Sequence, residues 1–149
     1  METQKDFKEL LELLNARNVD FVIVGGYALA FHGAPRYTGD LDVFVKPDET
    51  NAARVLKALD DFGFEFMGFT IGDFSKPGKV AQLGYPPVRI DIITSITGVS
   101  WEDAFSNSVP GTYGDTHVRY LGKKELIANK RAVGRHKDLA DVEALGEKA

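Results

Sequence analysis

Hydrophobic and polar residues follow two different periods along the chain. Residues 3–17 carry apolar side chains at the i, i+3, i+4, i+7 spacing that is typical of an amphipathic helix. These side chains are Phe7, Leu10, Leu11 and Leu14. Residues 19–24 instead form a short apolar run of β-branched and aromatic residues that stops at Gly25, and this pattern predicts a buried strand followed by a sharp turn.

The same interleaving of helices and strands continues to the end of the chain. The pattern predicts further helices at about 27–32, 48–61, 101–105, 123–133 and 137–145. It predicts further strands at 40–45, 64–69, 79–85, 88–94 and 117–121. We therefore expect a mixed α/β (α+β) fold, with a mixed twisted sheet in one domain over 1–149 and C-terminal helices, about 123–146, packed on that sheet.

Composition narrows the class of protein. The 149 residues are 44% hydrophobic and 27% charged, which suits a compact domain, and the net charge of −4 gives no general attraction for nucleic acid. The chain has no cysteine, so disulfides and thiolate chemistry are excluded. The apolar runs are too short to span a membrane, and the first residues lack the apolar core of a signal peptide. The expectation is a cytoplasmic protein with no membrane contact.

Acidic residues stand out in two of the predicted strands. Asp40 and Asp42 alternate with apolar residues in DLDVFV, so both carboxylates lie on one face of the strand. Asp91 stands between two isoleucines in VRIDIIT, where a carboxylate is costly unless it is compensated. Divalent metal is a natural compensation because Mg²⁺ takes hard oxygen ligands. A solvated strand face, or an edge position for Asp91, is the competing interpretation.

A second feature lies just upstream of the acidic pair. Gly25 and Gly26 connect a strand to a short helix, an arrangement that offers backbone N–H groups and the positive end of a helix dipole to a phosphate. Taken alone, two glycines after a strand indicate a plain turn more often than a phosphate site. Combined with the acidic pair on the next strand, they favour a nucleotide site.

The segment VGGYALAFHGAPRYTGDLDVFV, residues 24–45, resembles the signature of the DNA polymerase beta type nucleotidyltransferase superfamily. In that superfamily, Gly-Gly or Gly-Ser precedes an acidic pair, and a third acidic residue lies on a later strand. The matching positions here are Gly25, Gly26, Asp40, Asp42 and Asp91. The chain is similar to the small stand-alone AbiEii-like members, which also share an Arg-x-Thr-x-Asp stretch and a basic C-terminal helix ending in Lys-Asp-Leu. It departs from many members in carrying glycine, not serine, at position 26.

This resemblance implies a nucleotidyltransferase fold and a reaction. A nucleoside monophosphate would pass from an NTP to an acceptor hydroxyl on RNA, a protein or a small molecule, with release of pyrophosphate. Asp40, Asp42 and Asp91 would be the catalytic metal ligands for two Mg²⁺ or Mn²⁺ ions, with Asp91 alternatively acting as the base. A catalytically silent nucleotide-binding or regulatory module is the alternative function, and either could be one half of a toxin–antitoxin pair with a cognate partner protein.

Four further residues are candidates for phosphate binding. Arg36 and Thr38 precede the acidic pair, and an ion pair is an equally good explanation for Arg36. Lys130 and Lys137 belong to a basic cluster to which the family resemblance extends, although a solvated helix face is the more common origin of such clusters. Gly134 lies between the two lysines and weakens the expectation that they share one continuous helix.

Overall fold

The computed structural model describes residues 3–34, 39–85 and 88–148. Within these ranges the α-helices are α1 Lys5–Ala16, α2 Gly25–Phe31, α3 Glu49–Phe62, α4 Gly72–Ser75, α5 Trp101–Ser106, α6 Lys123–Val133 and α7 His136–Ala144. The strands are β1 Phe21–Val24, β2 Asp40–Val45, β3 Val80–Tyr85, β4 Val88–Ile93, β5 Val109–Tyr113 and β6 Thr116–Tyr120. A 3-10 helix covers Glu65–Met67.

The six strands form one mixed sheet in the order β3-β4-β2-β1-β6-β5. β2 runs parallel to β4, and β1 runs parallel to β6. The pairs β1–β2, β3–β4 and β5–β6 are antiparallel. The prediction of a mixed α/β fold is therefore confirmed, and the strand that carries Asp40 and Asp42 lies near the middle of the sheet.

The predicted N-terminal helix forms the first part of the core. All four of its spaced apolar side chains are fully buried in α1, which contacts α3. The Asp48 side chain accepts a hydrogen bond from the Asn51 backbone N–H at 2.7 Å and caps α3, while Gly63 ends that helix in the left-handed conformation. The buried Asn51 side chain ties the start of α3 to the ends of β1 and β2, since it bonds the Asp20 N–H and the carbonyls of Asp20 and Lys46.

Two segments differ from the sequence-based expectation. The predicted strand at 64–69 is wrong, because this aromatic segment forms the 3-10 helix and ends at Gly68, whose φ is +73°. β5 was not predicted because it contains Pro110 and Gly111, which disfavour strands. Both residues fit here: β5 is an edge strand, and a Cβ on Gly111 would meet the rings of Phe31 and Tyr120 at 2.8 and 3.0 Å.

The C-terminal helices join the same hydrophobic core. α6 contacts both α2 and α7, and Leu126 of α6 and Val142 of α7 are fully buried. Gly134, with φ +72°, ends α6, so α7 begins in a new direction. In the described part of the chain, the helices are too short or too polar to cross a bilayer.

Candidate active site

The three predicted acidic residues lie on one face of two adjacent strands. β2 and β4 pair in parallel, with Asp42 opposite Asp91 and Asp40 opposite Arg89. Residues that are opposite each other in a sheet, and residues two apart in one strand, project to the same face. The three carboxylates of Asp40, Asp42 and Asp91, called the triad below, therefore share a face, as the predicted metal site requires. Asp91 is 9% exposed, while Asp40 and Asp42 are partly buried.

Arg89 lies among these carboxylates, and sequence reasoning had given it no role. Its Nη2 lies 3.0 Å from Asp40 Oδ2 and 3.0 Å from Asp91 Oδ2, and its Nε donates to Asp91 Oδ1 at 3.1 Å. One guanidinium thus binds a carboxylate on each strand. The only signal available in the sequence was its position two residues before Asp91, on the same strand face, and its pairing with Asp40 depends on a register that the sequence does not reveal.

The ionised form of Asp42 is unfavourable in these surroundings. The pKa of Asp42 is raised to about 7, first by burial and then by the negative charges of Asp91 and Asp40, against the opposing effects of Arg89 and Lys130. A cation bound beside Asp42 would therefore favour its ionised form.

The turn after β1 lies directly against Asp42. Val24 is the register partner of Asp42, and Gly25, with φ +67°, opens α2 immediately afterwards. A Cβ added at Gly25 would overlap Asp42 Oδ2. Glycine is thus required here both by the backbone conformation and by the close approach of a carboxylate. Gly26 follows in the first turn of α2.

The predicted basic residues are separated from one another. Lys130 is buried, and its Nζ lies 3.1 Å from Asp141 Oδ2 and 3.5 Å from Asp138 Oδ1, close enough to the triad for its charge to lower the pKa of Asp42. Lys137 is exposed on α7, beyond the break at Gly134. The other two candidates, Arg36 and Thr38, lie outside the described residues.

The triad has the right donors for a divalent cation, although Arg89 lies between two of its members, Asp40 and Asp91. Among the described residues, no three acidic or histidine side chains are already close enough to share a metal ion. The donor chemistry nevertheless fits Mg²⁺ or Mn²⁺, because carboxylate oxygens from Asp40 and Asp91 converge on one cationic nitrogen of Arg89, and Asp42 lies opposite Asp91 on the same face.

Three solved structures show which fold this is. A Thermotoga maritima protein described as a nucleotidyltransferase matches with a TM-score of 0.62 at 13% identity, over 92% of this chain and 88% of that one. The lincomycin-bound lincosamide adenylyltransferase LnuA matches at 0.58 and 14%, over 99% and 98%. The antibiotic-resistance factor ANT(2'')-Ia matches at 0.55 and 14%, over 94% and 80%. At such identities the likeness concerns the fold alone, and it defines a nucleotidyltransferase fold.

The family follows from a separate match. Residues 10–147 match the family model of the nucleotidyl transferase AbiEii toxin of type IV toxin–antitoxin systems. The chain therefore belongs to the AbiEii nucleotidyltransferase toxin family, as the resemblance in residues 24–45 had indicated. No curated protein matches it. Nucleotidyl transfer and a toxin–antitoxin context are thus the functional class of this protein.

Proposed function

We propose that this chain is a metal-dependent nucleotidyltransferase that moves a nucleoside monophosphate from an NTP to an acceptor hydroxyl and releases pyrophosphate. The observation that supports it most strongly is the shared strand face of Asp40, Asp42 and Asp91 beside Gly25. A divalent cation bound there would offset the cost of burying ionised Asp42.

Each residue has a role in this proposal. Asp40 and Asp42 hold Mg²⁺ or Mn²⁺, with Asp91 either as a further ligand or as the base that accepts the proton of the acceptor hydroxyl. When bound, two such ions neutralise the charge on the phosphates and on the attacking oxygen. Gly25 and Gly26 let the backbone approach the phosphates closely, and Arg36, Thr38, Lys130 and Lys137 are the proposed polar contacts to them.

Lys130 and Lys137 are unequal candidates for these contacts. Lys130 is close enough to influence Asp42, but two carboxylates already bind it, so it acts through charge more readily than by direct contact. Lys137 is exposed and lies on a different helix, so it can contact a phosphate only if the substrate extends beyond the triad. The geometry therefore favours Lys130 over Lys137.

The acceptor and the cognate partner are proposed only by class. The acceptor is an RNA, protein or small-molecule hydroxyl, and the site works in the cytoplasm, where NTP and Mg²⁺ are abundant. The toxin–antitoxin family supports a partner protein that limits the activity in the cell.

The test is transfer from labelled NTPs. The purified chain is incubated with each α-³²P-labelled NTP, Mg²⁺ or Mn²⁺, and RNA or protein acceptors, and both label transfer and pyrophosphate release are measured. Asp42→Asn keeps the shape of the side chain but removes its charge, and it should abolish both signals. Asp60→Asn, the same change at an exposed position of α3, should leave both unchanged.

The outcomes separate the functions. Label that reaches an acceptor only with metal and an intact Asp42 supports the proposal. Metal-dependent NTP binding without transfer to any acceptor would favour the silent nucleotide-binding module. Failure to bind any NTP with metal present would exclude both.

A further inference from the structure

The guanidinium of Arg89 lies where a cation shared by Asp40 and Asp91 would lie. The same nitrogen, Nη2, is 3.0 Å from an oxygen of each carboxylate, and Nε adds a second bond to Asp91. Arg89 projects from β4 on the same face as the triad, and its side chain is 29% exposed. A built-in positive charge therefore neutralises part of the triad.

This arrangement is incompatible with a divalent ion bound to both carboxylates. Mg²⁺ needs its oxygen ligands at about 2.0–2.1 Å in octahedral geometry, and the guanidinium holds the oxygens that would supply them. Two cations at such short separation also repel each other strongly in a partly buried site. Metal binding must therefore release Arg89 from at least one carboxylate.

The released guanidinium remains beside the place where the NTP arrives. A triphosphate brings several negative charges, and a guanidinium binds phosphate oxygens through two parallel N–H bonds. Arg89 is partly exposed on the face of the triad, so its side chain can turn toward the phosphates without leaving the strand.

We propose that Arg89 changes partner during binding: it neutralises Asp40 and Asp91 in the metal-free protein and binds the phosphates of the NTP once metal has replaced it. This inference rests on the proposed function, because it assumes that the triad binds metal and the site binds an NTP. It makes Arg89 a substrate-binding residue that also sets the metal affinity of the empty enzyme.

The inference predicts opposite effects on two affinities. Arg89→Gln removes the competing cation, so Mn²⁺ should bind more tightly in the absence of nucleotide, by about tenfold for the loss of two charge-assisted hydrogen bonds. With saturating Mn²⁺, a non-hydrolysable NTP analogue should bind about tenfold more weakly, because its phosphates lose the same bonds. Mn²⁺ binding is followed by electron paramagnetic resonance, and analogue binding by calorimetry.

The matched control is Arg54→Gln. Arg54 lies on α3 and donates to the Asn18 carbonyl oxygen, so this variant has the same change in net charge without loss of a contact to the triad. Both of its affinities should stay within about twofold of the unmodified protein. A general charge effect would instead shift both variants alike. Circular dichroism of each variant without metal checks that the fold persists.

A purely structural Arg89 would give the reverse sign. If the arginine only positions the two aspartates, Arg89→Gln should weaken Mn²⁺ binding, and that result would overturn the inference while leaving the proposed function intact. Absence of Mn²⁺ binding to the unmodified protein would overturn the proposed function as well. If Arg89→Gln does not fold without metal, Arg89→Lys provides the test. It keeps the competing cation, so its Mn²⁺ affinity should stay within about twofold of the unmodified protein, whereas the loss of the bidentate geometry should weaken binding of the NTP analogue. Weaker Mn²⁺ binding by Arg89→Lys would overturn the inference.

Discussion

Asp42 on β2 and Asp91 on β4 are direct register partners in parallel strands, so two carboxylates project side by side from the interior of the sheet. Burial and this neighbouring charge both make ionised Asp42 unfavourable, and the pKa of its carboxyl group is about 7 in the metal-free fold. Burial of Asp42, with a smaller contribution from this pairing, makes a bound cation favourable at the site. It also makes the stability of the protein depend on pH in a defined direction.

The first prediction concerns that pH dependence. The pKa of Asp42 rises from 3.8 to about 7 on folding, so between these values the folded state keeps a proton that the unfolded state has lost. Stability from this group is fully present below 3.8 and is lost as the pH rises through 7. One pKa unit is worth about 1.4 kcal/mol, so between pH 5 and pH 8 the free energy of unfolding should fall by about 2–3 kcal/mol relative to Asp42→Asn.

Urea denaturation of protein freed of metal by chelation measures this difference. The unmodified chain and Asp42→Asn are compared at pH 5, 6, 7 and 8, since the asparagine variant has no proton to lose at this position. The variant should be the more stable protein at pH 8. Parallel stability profiles for the two proteins would show that Asp42 is not strained by its neighbours.

The second prediction concerns Gly25. Gly25→Ala should abolish nucleotidyl transfer, because its Cβ would overlap Asp42 Oδ2 and force that carboxylate away from the triad. It should also cost about 1–2 kcal/mol of stability, since φ is +67° and side chains disfavour the left-handed region. Transfer activity and urea denaturation are measured on the same preparations.

Gly63→Ala separates the clash from the backbone strain. Gly63 has φ +95° at the end of α3, but a Cβ there meets no atom within 4 Å. This variant should lose similar stability and keep its transfer activity. Equal activity in the two variants would mean that Asp42 can move without harm to the reaction.

The strands that carry the triad could be predicted from residue patterns within each strand. The strand at 40–45 was predicted with the boundaries that β2 has, because polar and apolar residues alternate there and Pro47 ends the run. The prediction for segment 64–69 was wrong because aromatic residues are typical of strands, whereas this segment forms a 3-10 helix that ends at Gly68. Strand register joins residues far apart in the chain, and for this reason the pairing of Arg89 with Asp40 could not be read from the sequence.

The basic cluster at 130–137 shows the same limit of prediction from sequence. Lys130 and Lys137 belong to one charged stretch of sequence, yet Gly134 turns the chain between them and only Lys130 becomes buried. The sequence shows where the charged residues lie, whereas the packing of α6 against α7 decides which lysine is buried. Lys130 and Lys137 therefore differ in burial, although the sequence predicted the same role for both.

The third prediction concerns this difference in burial between Lys130 and Lys137. Lys130→Met should lower the free energy of unfolding by about 3 kcal/mol, because it removes the buried cation that lies beside the carboxylates of Asp138 and Asp141. Arg135 still binds Asp138, at 2.6 Å, so the larger loss falls on Asp141. Lys137→Met removes the same charge from an exposed position and should change stability by about 0.5 kcal/mol or less. Urea denaturation at pH 7.5 measures both variants. Adding Asp141→Asn to Lys130→Met should recover part of the loss, since it removes one of the two buried charges. If Lys130→Met is as stable as Lys137→Met, Arg135 and water together must compensate these carboxylates, and Lys130 is not needed for the stability of the α6–α7 junction.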